Sequence, residues 1–121
     1  MRYLLLAPVL LVTALAMACG SPSGREIQVV AAERPDGSMY YEPAQITVRP
    51  GERVVFVITN RGSQDHEFES DEAGIEEVVV PPGRTRRVGW RAPSQPGSFP
   101  AYCDLPGHRE AGMELTVVVQ P

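Results

Sequence analysis

Cys103, His108 and Met113 lie in one stretch, Tyr102-Cys103-Asp104-Leu105-Pro106-Gly107-His108-Arg109-Glu110-Ala111-Gly112-Met113, with four residues between each pair, and a second histidine, His66, lies far upstream. A thiolate, two imidazoles and a thioether are the soft and borderline donors that hold copper in a trigonal site with a weak axial sulfur. The chain has only two histidines, so a centre that needs two imidazoles must use both. A lone histidine at position 66 would more often be structural, and the joint pattern changes its reading.

Three donors on one connection must be presented by the elements around it. The apolar runs over 97–102 and 115–119 read as strands, and the segment between them is longer than the two to five residues usual in a hairpin. Each feature of that segment brings a donor inward: a cysteine at a strand end, a Pro106-Gly107 turn, a histidine after it, and a methionine opening the next strand. Further β-rich runs cover 27–31, 45–48, 53–59, 66–69, 77–80 and 85–91. Pro50-Gly51, Pro82-Gly83, Pro96-Gly97 and Pro106-Gly107 fit turns with Pro first and Gly at positive φ. About eight strands with no helical pattern predict an all-β fold, a β-sandwich.

The motif Cys103-x4-His108-x4-Met113 resembles the ligand loop of the cupredoxins, the small blue copper proteins, with the spacing of the rusticyanin and auracyanin type. The resemblance extends to Tyr41-Glu42-Pro43-Ala44-Gln45-Ile46-Thr47-Val48, Pro50-Gly51-Glu52-Arg53-Val54-Val55-Phe56, Thr59-Asn60, His66-Glu67-Phe68 and Pro81-Pro82-Gly83-Arg84, about 28–119 in all. It implies a Greek-key sandwich and one Cu(I)/Cu(II) ion, with His66, Cys103 and His108 as the strong ligands and Met113 as the axial one. It also implies an exposed edge of His108, rimmed by Leu105, Pro106 and Gly107, as the surface where electrons leave. Glu67 departs from the pattern, since many cupredoxins carry Asn or Ser there to lock the two ligand loops together.

The 121 residues, 43% hydrophobic and 21% charged, suffice for one globular domain. Residues 1–18 read as a signal peptide, with Arg2 before an apolar run too short and wrongly flanked for a lasting transmembrane helix. The run ends at Ala16-Met17-Ala18-Cys19, which resembles a bacterial lipobox and makes Cys19 the expected lipidation site. Plain secretion is the alternative. Residues 19–25 then form a lipidated cysteine and flexible tether, and 26–121 the cupredoxin domain, held outside the cytoplasm at a bacterial membrane. Two cysteines in an exported chain often make a disulfide, but Cys19 falls outside the domain and Cys103 falls among metal-type ligands.

The formal net charge of −4, with every basic residue an Arg, argues against a nucleic-acid partner. Asp65, Glu67, Glu69, Asp71, Glu72, Glu76 and Glu77 form a window without a basic residue. It reads as a solvated face paired to Arg84, Arg86 and Arg87, and otherwise as a docking patch for a basic cytochrome. Val54 to Ile58 should form a central strand and Trp90 should lie in the core; Met39 reads as apolar filling rather than an alternative axial ligand.

The function these features predict is single-electron transfer by a monomeric copper protein between redox proteins such as a cytochrome and a membrane oxidase or reductase. Copper delivery or homeostasis is the alternative. An independent copper enzyme would need further copper sites, and both histidines are already used.

Overall fold

The strand over Arg53–Asn60 is buried along almost its whole length, from Val54 to Ile58 and again at Asn60. A strand apolar on both alternations must have neighbours on both edges and a covering layer on each face. In the computed structural model, which describes residue 20 and residues 22–121, it has those neighbours. The expected signal peptide and Cys19 lie outside the described residues.

Nine strands form the described chain: β1 Arg25–Glu33, β2 Met39–Glu42, β3 Gln45–Val48, β4 Arg53–Asn60, β5 His66–Ser70, β6 Ile75–Val80, β7 Thr85–Arg91, β8 Gly97–Tyr102 and β9 Glu114–Val119. They make two sheets, ordered β2-β1-β4-β7 and β3-β9-β8-β5-β6. The eight expected strands are all present, and β2 is the addition. The predicted all-β sandwich is therefore the observed fold class, with β4 central as its composition requires.

The strand directions create a pole for the site. β1 runs parallel to β4, with Ala31 opposite Asn60, so both end at one pole. β8 ends there as well, and β5 and β9, antiparallel to β8, begin there. Glu33, Asn60, His66, Tyr102 and Glu114 are thus gathered from five strand ends.

Between the sheets the core is aromatic and β-branched. Phe68 meets Tyr41 edge-on at 5.5 Å and Phe56 at 5.2 Å, and Phe56 meets Trp90 at 5.7 Å. Full burial of one such side chain contributes roughly 1.5–3 kcal/mol. Trp90 alternates with wet neighbours on β7 and donates its indole N–H to the Ala73 carbonyl at 2.8 Å, which satisfies its one polar atom. It belongs to the core, as its pattern predicts. Met39 also packs against the core.

Three of the four Pro-Gly pairs turn as expected, with φ of 70° at Gly51, 72° at Gly83 and 81° at Gly107. Pro96-Gly97 does not: Gly97 has no positive φ and opens β8, paired with Val119. The partner strand supplies the extended geometry there, and local turn chemistry gives way to it.

Candidate metal centre

The connection from β8 to β9 spans residues 103–113 and is wound into successive turns. His108 N–H donates to Leu105 at 3.0 Å, Gly112 N–H to Arg109 at 3.0 Å, and Met113 N–H to His108 at 3.1 Å. Cys103 N–H closes the loop on the Met113 carbonyl at 3.1 Å. Gly112, at φ 107°, could not carry a side chain, because a Cβ would come 2.8 Å from the Met39 carbonyl. The start of β2 is held against this loop by Met39 N–H donating to Ala111 at 2.9 Å.

His66 opens β5 after a loop organised by Asn60. The buried Asn60 amide donates to the carbonyls of Gln64 and Val80, at 2.6 and 2.8 Å, and its oxygen accepts Gly62 N–H at 2.8 Å. That loop delivers the His66 ring to the 103–113 connection, against His108. The Nδ1 atoms of His66 and His108 are 3.3 Å apart, and Cys103 Sγ is 3.4 Å from His108 Nδ1. The three donor atoms all lie within 4.8 Å of one another.

Burial grades the site. His66, Cys103 and Met113 have no exposed surface, whereas His108 is 9% exposed. Leu105 is half-buried, and Pro106 and Gly107 are exposed beside it. Met113 joins the same buried cluster as Cys103. Burial pushes the Cys103 thiol up from its ordinary value, against the lowering effect of the Glu67 and Leu105 amides. A metal entering as a thiolate complex must therefore displace a proton. Burial likewise lowers His66, opposed by Glu33, a direction that favours the neutral imidazole able to ligate a metal.

Glu67 does not separate the two ligand loops. Its backbone N–H donates to Cys103 Sγ at 3.3 Å. The main chain thus provides a lock between loops where a side chain was expected to be missing. Tyr41 fixes the same residue from below, its hydroxyl donating to the Glu67 carbonyl. Burial, followed by the nearby Cys103, Glu67 and Glu69, pushes the Tyr41 phenol up, which keeps it a donor.

Glu33 is a site residue that the sequence pattern does not reveal. Its carboxylate accepts from Ser63 N–H at 3.0 Å and Gln64 N–H at 2.9 Å, and lies 3.1 Å from His66 Nε2. Burial raises its carboxyl, but those two amides and His66 hold it below the ordinary carboxylate range.

The acidic window is corrected by the fold. Among the described residues none of its members pairs with Arg84, Arg86 or Arg87; Arg87 pairs with Glu26 instead. The reason is topological: β7 belongs to the other sheet, next to β4, while β5 and β6 form the edge of the five-stranded sheet. Glu67, Glu69 and Glu77 gather on that edge. Burial raises Glu67 and Glu69, and Glu77 and Asp104 raise them further.

A buried cysteine sulfur flanked by two imidazole nitrogens, close enough for one ion to touch all three, fits copper by the chemistry of the donors. The sandwich and this donor set define a copper protein of the cupredoxin class. The chain belongs to the family described as cupredoxin-like domain, whose profile matches residues 5–117.

Among known proteins, it is 34% identical over 115 residues to the copper-resistant cuproprotein CopI of Rubrivivax gelatinosus, covering 79% of this chain and 67% of that one. Dithionite-reduced auracyanin from Roseiflexus castenholzii superposes with a TM-score of 0.66 at 20% identity, over 84% of this chain and all of that one. The copper nitrite reductase of Thermus scotoductus SA-01 superposes with a TM-score of 0.68 at 16% identity, over 79% of this chain. This chain spans only 31% of that enzyme, and the likeness is one of fold.

Proposed function

We propose that this protein carries single electrons between redox proteins outside the cytoplasm, using one copper ion held by His66, Cys103 and His108 with Met113 as the axial donor. The observation that carries this reading is the asymmetry of burial: three of the four side chains have no exposed surface and only His108 reaches solvent. A centre enclosed in this way retains its ion, and a single ligand edge at the surface gives a partner one route to it. When bound, the ion supplies a one-electron couple between Cu(II) and Cu(I).

The chain's own groups set the conditions for that couple. The wound loop and the Glu67 amide hold Cys103 and His108 at fixed separations, which keeps rearrangement small when the charge of the site changes. The half-buried Leu105, with Pro106 and Gly107, forms an apolar rim beside His108, suited to the small interfaces of weak redox encounters. A cytochrome or a membrane oxidase or reductase is the proposed partner, met by a monomer. Both histidines are committed to this centre, so no independent catalysis is proposed.

Replacing Leu105 with Glu is expected to slow electron exchange with a surrogate cytochrome about tenfold in stopped flow, the scale of steering and docking losses at charged rims. The visible copper spectrum should stay unchanged, because Leu105 contributes no donor. Equal rates for variant and parent would remove this rim as the exit surface.

Copper homeostasis is the second reading, favoured by the 34% identity to a cuproprotein named for copper resistance. It predicts ready transfer of copper to a chelator or acceptor protein. Slow loss of copper together with fast electron exchange supports the first reading, and the reverse supports the second.

The location is proposed from the sequence alone: an exported domain anchored through lipid on Cys19. Intact mass of the mature protein from its native membrane should show acyl chains on Cys19. An unmodified N-terminus would leave plain secretion.

A further inference from the structure

Glu33 closes β1 and reaches across the sandwich pole to a residue 33 positions later. Its carboxylate accepts Gln64 N–H on Oε1 at 2.9 Å and Ser63 N–H on Oε2 at 3.0 Å, and Oε1 lies 3.1 Å from His66 Nε2. Two backbone amides, one on each oxygen, favour the acceptor-only, ionised form of this carboxylate. The glutamate side chain is 13% exposed and His66 not at all, so this contact is largely withdrawn from water.

The surroundings are cut to fit it. Gly62 does not have a positive φ, so its backbone conformation does not call for glycine. Space does: a Cβ at position 62 would lie 1.9 Å from Glu33 Oε2. The Asn60 side chain in turn fixes the Gly62 amide at 2.8 Å. The loop leading to His66 is thus wrapped around one carboxylate.

We propose that Glu33 is a positioning residue of the copper centre, whose carboxylate accepts the Nε2–H of His66, orients Nδ1 toward Cys103 and His108, and favours the oxidised over the reduced ion by its charge. This rests on the copper reading above. A ligating imidazole whose second nitrogen donates to a carboxylate is fixed in tautomer and is a stronger base. A negative charge beside the site stabilises the more positive state of the ion more. One-electron reduction at an electrode forms and breaks no bond to Glu33, so its influence is read as a change in potential.

The test is Glu33→Gln, which keeps the shape and a carbonyl oxygen for His66 but removes the charge. Loss of such a partner typically costs 10- to 100-fold in metal affinity. The Cu(II)/Cu(I) affinity ratio should fall about tenfold, a rise in potential of about 59 mV for one electron. Gly62→Ala, which displaces the carboxylate without removing its charge, should move the potential in the same direction. A purely structural role would weaken both oxidation states together and leave the potential in place, so a change in the ratio of less than about twofold, about 18 mV, overturns the proposal.

A second measurement needs no metal. Nitrogen NMR of the metal-free wild type should show His66 as the Nε2–H tautomer, and an Nδ1–H tautomer overturns the proposal. If the wild type takes up no Cu(II), the copper reading fails, while the tautomer still decides the role of Glu33.

Discussion

Cys103→Ser should leave a folded, colourless protein. The intense visible band of a copper–thiolate site arises from charge transfer out of sulfur, and a serine hydroxyl supplies no comparable thiolate donor at neutral pH. The fold should survive, because serine nearly matches cysteine in shape and its oxygen can still accept the Glu67 amide that now meets Sγ at 3.3 Å. The expected result is loss of essentially all the visible absorption of the Cu(II) protein, with an unchanged far-ultraviolet circular dichroism spectrum. Persistence of the band would remove Cys103 from the centre. Met113→Gln is the contrasting change: the band remains and the potential falls, since the axial donor tunes the couple rather than creating the colour.

The second large effect is on stability. Phe68 is wholly buried, packed edge-on against Tyr41 and tilted against Phe56 at 5.5 and 5.2 Å, and lies two residues beyond His66 on β5. Phe68→Ala should destabilise the metal-free domain by about 3–5 kcal/mol, the lost transfer energy plus the cavity left behind. That is a large share of the roughly 5–15 kcal/mol that holds a domain together. Urea denaturation followed by fluorescence checks it. A loss under about 1 kcal/mol would mean that the two sheets close over the gap, contrary to close packing around these rings.

The fold class and the loop that carries Cys103, His108 and Met113 were legible in the sequence because each depends on local pattern. Cys103, His108 and Met113 share one loop, and period-two burial on β7 or continuous burial on β4 follows from side-chain direction along a strand. What was hidden depends on contacts distant along the chain. Glu33 looks like any exposed strand-end carboxylate until His66, 33 residues on, is placed against it. β2, Met39–Glu42, does not alternate between buried and exposed positions, unlike the equally short β3. The parallel pairings of β1 with β4 and β3 with β9 leave no local trace either. Charge alone misassigned the acidic window, because sequence proximity of acids and arginines does not say which sheet each strand joins. The locking of the ligand loops was obscured for another reason: the Glu67 contact to sulfur uses the main chain, and side-chain identity is silent about it.

The direction of β1 gives the molecule a polarity. Arg25 is tied to Glu52 at one end of this strand by a 3.0 Å ion pair, while Glu33 stands against His66 at the other. Eight residue steps of extended chain separate them by about 26 Å. An attachment through the N-terminus, as proposed above, would hold the pole opposite the metal centre and leave the Leu105–His108 rim at the far end of the domain.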